Sequence, residues 1–471
     1  MKKLQLSILG IFFFGCAVAQ SDLGTPVFVG MGGVASTIAT DYEAIGINPA
    51  NLGFEYNKKI AVGLLNVGVN IQSKAFNLKE MYNAFTKPDA VFTTEQKNLF
   101  ASVFTSENGL NFQSHINWLA GYVAIGPNHG IGLNVRERSY GHVSANENLA
   151  DIIFNGYNAQ AFLDTSIYSQ YVSDVFDGSR ANFIHYRELN LDYGMRLLNI
   201  NDGGIKLYAG AGAKYLWGMS FVDIKAEGNT LYARAAIEQS SFDVNNGFVD
   251  NFYVDDHPPI FNCSGHGFAF DLGLSLAIND KIKIGASATD IGSITWDNNV
   301  VEGTNTLMPH LDTTQTGLNS FEIKDNVGFL FDPEGLIDFQ PGAAFTTSLP
   351  SKFRLGAGYR MTEFIEFGAD MTMPLNDVNG NLDAAFFSLG GKVNVFETWK
   401  VSSGISGNAT YGFNIPLGIS TGKMGILEIY VATSDILSYF SKSRNPMLSF
   451  AFGIIRISIE KPELVKPPVV N

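Results

Sequence analysis

Cysteine is nearly absent from this chain: two in 471 residues, Cys16 and Cys263. So little cystine-forming capacity excludes a disulfide-stapled fold. Basic residues are scarce too, with 31 Lys and Arg against 45 Asp and Glu and a formal net charge of −14. Phosphate backbones require a basic surface, so nucleic acid is excluded as a partner. Beyond the first twenty residues there is no long apolar run, and transmembrane helices are excluded with it. No G-x-S-x-G elbow, H-E-x-x-H or P-loop occurs, and the seven histidines are scattered. The chain is therefore read as a non-enzyme without a cofactor. Linkers, composition shifts and low-complexity tracts are also missing, so one large domain is expected.

What is present begins with an address. Lys2 and Lys3, the apolar stretch Leu4 to Phe14 and the small residues Ala17-Val18-Ala19-Gln20 form a secretory signal over 1–20. Phe13-Phe14 stand where a lipoprotein signal carries small or branched residues, so lipid attachment at Cys16 is the minor reading. The mature chain then starts near Ser21, and losing two lysines makes it more acidic still.

The dominant pattern after that is period two. Over 112–124, Phe112, Ile116, Trp118, Ala120, Tyr122 and Ala124 fall on one side, and Gln113, His115, Asn117, Gly121 and Val123 on the other. Ile131, Leu133 and Val135 alternate with Asn134, Arg136 and Arg138. Leu189, Leu191, Tyr193, Met195 and Leu197 alternate with Glu188, Asn190, Asp192 and Arg196. A soluble sandwich also alternates, so periodicity alone does not decide between a sandwich and a membrane barrel.

Connection lengths decide. About fourteen strands are expected, near 58–70, 110–125, 130–142, 183–198, 204–219, 265–278, 281–296, 352–361, 363–374, 383–396, 398–408, 412–420, 424–433 and 447–459. Through the first half their connections alternate long and short, as in outer-membrane barrels with long extracellular loops and short periplasmic turns. Later loops shrink, with 375–382 and 434–446 the largest, and Pro416 sits awkwardly inside a strand. Trp118, Tyr122, Trp217, Trp296 and Trp399 are expected at strand ends or lipid faces. Helical spacing marks two of the loops, Asn77 to Phe104, broken by Pro88, and Asn148 to Phe176.

The stretch from Gly30 to Gly53 departs from this pattern. Gly30, Gly32, Gly33, Ala35 and Ser36 are small, Asp41 follows, and Asn48-Pro49-Ala50 forms a turn, which together suit a compact folded plug. Val27-Phe28-Val29 before Gly30-x-Gly32-x-x-Ala35 matches a dinucleotide fingerprint as a bare pattern, without the βαβ unit it needs. The order of small residues, Asp41 and Asn48-Pro49-Ala50-x-Leu52 resembles the N-terminal hatch of the long-chain fatty-acid transporter (FadL) family of outer-membrane barrels. It is equally similar to the PorV-type barrels of the Bacteroidota. Lys214-Tyr215-Leu216-x-Gly218, Asp271-Leu272-Gly273 and Asp290-Ile291-Gly292-x-Ile294-x-Trp296 resemble an uncharacterised Bacteroidota branch of the same superfamily.

The resulting expectation is an all-β, antiparallel transmembrane barrel in the outer membrane of a Gram-negative cell, both termini periplasmic. A signal at 1–20 precedes a hatch at 21–57, a barrel at 58–459 and a tail at 460–471. Proline at 462, 467 and 468 bars the tail from a ladder. The hatch residues are Gly30, Gly32, Gly33, Asp41, Asn48, Pro49 and Ala50. His115, Asn117, Arg136, Arg138, Glu188, Asp192, Arg196 and Lys214 are placed on the lumen face, where they line a solute route or pair to close it. No metal is assigned: Asp255, Asp256, His257, Cys263 and His266 form only a weak ligand set. Asp377, Asn379, Asn381 and Asp383 read as a hairpin at Asn379-Gly380 rather than a calcium loop.

Outer-membrane lipid is the expected surrounding. Resemblance to the fatty-acid transporters implies uptake of hydrophobic small molecules past the hatch and out through a side opening. Resemblance to the PorV-type barrels implies instead a docking role beside secretion-system proteins, with an inert lumen. No apolar lumen cluster is assigned from the sequence.

Overall fold

The computed structural model describes residues 23–54, 58–73, 75–105, 109–201, 204–238, 262–311, 313–321, 336–396, 398–408, 412–421, 428–440 and 447–460. The signal, Asp255, Asp256, His257 and the tail from 461 lie outside them. Among the described residues, fourteen antiparallel strands close into a ring. They are β1 (Lys58–Ser73), β2 (Leu110–Ile125), β3 (His129–Ser144), β4 (Arg180–Ile200), β5 (Ile205–Glu227), β6 (Gly265–Ile278) and β7 (Ile282–Trp296). The second half comprises β8 (Lys352–Arg360), β9 (Ile365–Pro374), β10 (Phe386–Phe396), β11 (Trp399–Asn408), β12 (Leu417–Thr421), β13 (Ile429–Thr433) and β14 (Met447–Glu460). β14 pairs back onto β1, with Lys58 opposite Glu460 and Gln72 opposite Met447, so no edge remains at the seam.

The ring follows from alternation. Outward positions carry exposed Leu119, Val123, Ile131, Leu133, Leu191, Phe268, Phe270, Leu272, Leu274, Ile284, Leu355, Phe367 and Leu389. Inward positions carry buried Asn134, Arg136, Glu188, Asp192, Lys214 and Asp271. An apolar exterior over a polar interior is the reverse of a soluble protein and fits a barrel bathed in lipid. No described helix is long and apolar enough to cross a membrane.

Three corrections to the expected pattern have local causes. In β2 the phase flips at Trp118: His115 and Asn117 face in, and beyond them Ala120 and Tyr122 face in while Val123 faces out. One extra residue at Trp118 shifts the β2–β3 register between Asn117 and Leu119, and a bulge turns every later side chain over. The neighbouring β1 flips at the same height, where Leu65 adopts φ 48°, and β14 flips between Gly453 and Arg456. Second, Tyr122 is buried inside and not on the lipid face, while Trp296 ends β7 as expected but points inward, and Trp118 and Trp399 are exposed on the outer face. Third, Pro416 divides the strand expected over 412–420 into Gly412–Asn414 and β12, because it cannot donate to the ladder.

The connections keep strict parity around the ring. Long loops at one end contain helices Leu78–Thr86, Thr94–Val103 and Glu147–Asn155, with Pro88 between the first two as expected. Capping boxes at Asn77/Glu80 and Thr93/Gln96 start them. Phe76, Phe92, Phe100, Phe104, Phe154 and Phe321 pack beneath, several edge to face, as with Phe92 and Phe321 at 4.7 Å. The wall also grows at this end: Thr230–Ile237, Val300–Thr304 and Asp338–Pro341 continue the sheet from β5, and Phe345–Ser348 pairs with β7.

Candidate functional site

Leu23–Phe54 lies inside the ring, and all of it is buried except half-buried Thr40. It contains a short helix at Pro26–Gly30 and 3-10 turns at Asp41–Ala44 and Pro49–Gly53, so the dinucleotide pattern at Gly30 has no βαβ unit around it. Asn48 caps the last turn by accepting from Ala50 N–H at 3.2 Å. Its amide also donates to the Ser36 carbonyl at 3.1 Å and to Ser275 Oγ on β6 at 3.0 Å, tying the segment to itself and to the wall. Pro49 lies against Gly194 and Gly210, where a Cβ would overlap its backbone, so glycine is required there for contact. Gly32 and Gly33 take φ 71° and 100°, which favours glycine, and Gly30 abuts Gly418.

Polar side chains from around the ring hold this segment. Asp370 on β9 accepts from Ala35 N–H, Ser36 N–H and Ser36 Oγ, each at 2.8 Å. Asp192 accepts from Gly46 N–H at 3.1 Å, Asn117 donates to the Gly24 carbonyl at 2.6 Å, and His115 Nδ1 accepts from Leu23 N–H at 3.2 Å. At the seam, Asp41 pairs with Lys58 of β1 at 3.0 Å and Arg456 of β14 at 2.7 Å, and Arg456 also pairs with Glu43. Burial pushes the Glu43 carboxyl above its ordinary range, with Arg456 pulling it back.

Midway along the lumen sits a layer of buried charge. Arg136 pairs with Glu188, Arg138 with Asp290 at 2.8 Å, and Lys214 with Asp271 at 2.9 Å and with Asp290. Asp290 occupies a β7 bulge at φ 62°, and its N–H donates to Asp271 Oδ1 at 2.8 Å. Three cations thus face three carboxylates in good contact, which offsets a burial otherwise costing several kcal/mol per ion. Lys214, Asp271 and Asp290 come from the three separate sequence pieces quoted for the resemblance, and the fold brings them to one point. Arg196 does not join them: it is half-buried near the short-turn end, its N–H bonded to the Asn128 carbonyl at 2.8 Å.

Between this charged layer and the long loops lies an apolar surface missed in the sequence. Tyr140, Ile184, Tyr186, Leu216, Phe221, Ile294, Trp296 and Leu349 form one buried cluster, with Phe345 against it. Trp296 Nε1 donates to Thr347 Oγ1 at 2.8 Å, satisfying its polar atom while its ring stays apolar. The bulges at Met219 and Asp290 cause the miss, because they turn Phe221 and Trp296 inward against strict alternation. A charged floor with an apolar cluster above it suits contact with a molecule that is mostly apolar.

The weak ligand sets resolve differently. Cys263 Sγ lies 3.3 Å from His266 Nε2, with Tyr215 OH 2.9 Å from the other ring nitrogen, and no group of three or more metal-ligating side chains occurs among the described residues. Gly380 takes φ 87°, and Asn381 donates to the Ser351 and Asn376 carbonyls, so the Asp377–Asp383 turn serves the loop.

A family model described as a family of unknown function, DUF5723, matches residues 49–434. The chain belongs to DUF5723. No curated protein matches it. Among solved structures, the DUF5723 chain is similar to a TodX deltaS2S3 mutant monoaromatic hydrocarbon channel at 11% identity and TM-score 0.50, over 94% of this chain and 99% of that one. It is also similar to the Ralstonia pickettii toluene transporter TbuX (13% identity, TM-score 0.46, 93% and 99% covered). The Pseudomonas putida toluene transporter TodX matches at 11% identity and TM-score 0.48, over 95% and 100%. The likeness to the first is one of fold: a closed antiparallel β-barrel.

Proposed function

We propose that this DUF5723 barrel sits in an outer membrane with its long loops outside the cell and passes small, mostly apolar molecules inward. The carrying observation is the buried apolar cluster from Tyr140 to Trp296 above a charge-paired floor, which we read as the place where a solute is held. The monoaromatic hydrocarbon channel of like fold supports the reading. Leu23–Phe54 acts as the hatch, and the number of its ties to the wall argues that solute leaves sideways rather than through it. The side route lies at β12–β13, whose ladder among the described residues runs from Leu417–Thr433 to Thr421–Ile429, and where β13 meets β14 through three described pairs, Tyr430 to Ala432. Above that ladder the gap is held by single contacts, such as Ile436 N–H to the Ile415 carbonyl at 2.8 Å and Tyr439 OH to the Ser449 carbonyl at 2.8 Å.

The test is titration of the detergent-purified protein with toluene and with a long-chain acid, read by tryptophan fluorescence. A saturable change in the native protein that disappears in Trp296→Phe supports the chamber; a response unchanged in the variant removes it.

A second reading, docking of a secretion partner in the manner of the PorV-type barrels, is favoured by exposed apolar residues at the long-loop end. Phe413 is 75% and Phe440 80% exposed there. Co-purification of a stoichiometric partner, lost on Phe440→Ser, would support it over transport.

A further inference from the structure

At the short-turn end, cations around the lumen are paired almost one by one. Lys206 meets Asp280 at 3.1 Å, Lys392 meets Glu366 at 3.0 Å, Lys400 meets Glu428 at 2.8 Å, and Arg456 meets Asp41 at 2.7 Å. Lys283 on β7 departs from that rule. Its residue is 7% exposed, and its ammonium is buried without a hydrogen-bond or ion-pair partner among the described residues. Glu366 attracts it only from a distance, being paired already with Lys392. Among the described residues, the ammonium lies over the face of Phe54, 4.7 Å from the ring centroid. That ring supplies no acceptor for three N–H donors.

Small residues flank Lys283 in the register. Its two partners on adjacent strands are Ala277 and Gly358, the smallest side chains available. Next to Gly358 stands Thr37 of the inner segment, whose hydroxyl is also buried and without a partner; it lies 2.7 Å from where a Cβ on Gly358 would be. One orphaned cation on the wall and one orphaned hydroxyl on the inner segment thus both adjoin Gly358. A buried ammonium left unpaired is costly, and native interiors resolve such groups with a bound ion or water.

We propose that Lys283 and Thr37 hold a small carboxylate between the inner segment and the wall, over the face of Phe54. Lys283 supplies the charge, Thr37 a neutral donor, and Phe54, Ala277 and Ala50 an apolar surface for a short alkyl remainder. Because Thr37 and Phe54 belong to the segment and Lys283 to the wall, the bound anion locks one onto the other. The carboxylate is either a free small acid or the head of a passing solute.

The full-length protein in detergent tests this through the temperature at which its folded electrophoretic band is lost, with sodium acetate titrated over constant sodium chloride. The expected result is a saturable upward shift of about 2 °C. In Lys283→Met the acetate affinity falls at least about tenfold, as expected for losing a charge-assisted hydrogen bond. Without acetate that variant melts no lower than the native protein, since an unpaired ammonium has been replaced by an apolar chain of similar length. Thr37→Val gives a smaller loss and serves if the methionine variant does not fold. A response to acetate assigns the free acid; a response to octanoate alone assigns the solute head. No saturable response to either, or an equal response in Lys283→Met, means that water alone fills the spot and overturns the proposal.

Discussion

The two halves of the ring differ in height. β4 and β5 run 21 and 23 residues, whereas β12 and β13 run five each. About 9–11 tilted residues are needed to cross a membrane, so β4 and β5 exceed that length while the described parts of β12 and β13 fall short of it. The apolar cluster is built on the tall side, from β3 to β7, while the low side shows a ladder of five pairs between β12 and β13 among the described residues. On the proposed function, strand length divides the labour: tall strands would hold a solute, and short ones would release it.

The largest expected effect falls on the tall half. Lys214→Met leaves Asp271 and Asp290 with less than the charge they are paired to, and breaking such a pair costs about 3–5 kcal/mol. Its band should lose the folded mobility at markedly lower temperature; unchanged mobility would mean that the floor does not hold the tall half together. Next, Trp296→Ala removes the largest ring of the chamber, an expected loss of about 3 kcal/mol, together with the fluorescence response to toluene. Retained stability would show that the chamber is loosely packed.

On the low half, Ile419 and Val431 face each other across β12–β13 with both side chains exposed on the outer face. A disulfide between Ile419→Cys and Val431→Cys should close the side route while leaving the folded band unchanged. Equal transport in the oxidised and reduced forms would break the comparison. The smallest effect is expected in the loops: Asn77→Ala removes a helix cap worth about 1 kcal/mol, readable as faster proteolysis of 78–104 with the barrel intact. Barrel unfolding in that variant would mean that the loop cap, not the floor, sustains the tall half.

Strand order and number were legible because period two and the alternation of loop lengths survive every local irregularity. β2, β6 and β14 fall within a few residues of expectation. The polar lumen group was legible for the same reason: Arg136, Arg138, Glu188, Asp192 and Lys214 do face inward, and Asn117 and His115 reach the inner segment. What alternation does not encode is where it breaks. Single-residue bulges at Trp118, Met219 and Asp290 leave no compositional mark, yet they reverse Tyr122, Phe221 and Trp296, and with them the chamber. Asp370 was missed for another reason: its three bonds go to Ala35 and Ser36, more than 300 residues away, a contact set only by closure of the ring.

The most direct measurement is uptake of a labelled apolar aromatic compound into vesicles carrying the Ile419→Cys/Val431→Cys protein, oxidised and then reduced. Uptake above protein-free vesicles that falls on oxidation and returns on reduction is the predicted result. Uptake that never exceeds the protein-free rate, or that ignores the disulfide, would contradict transport through the low wall.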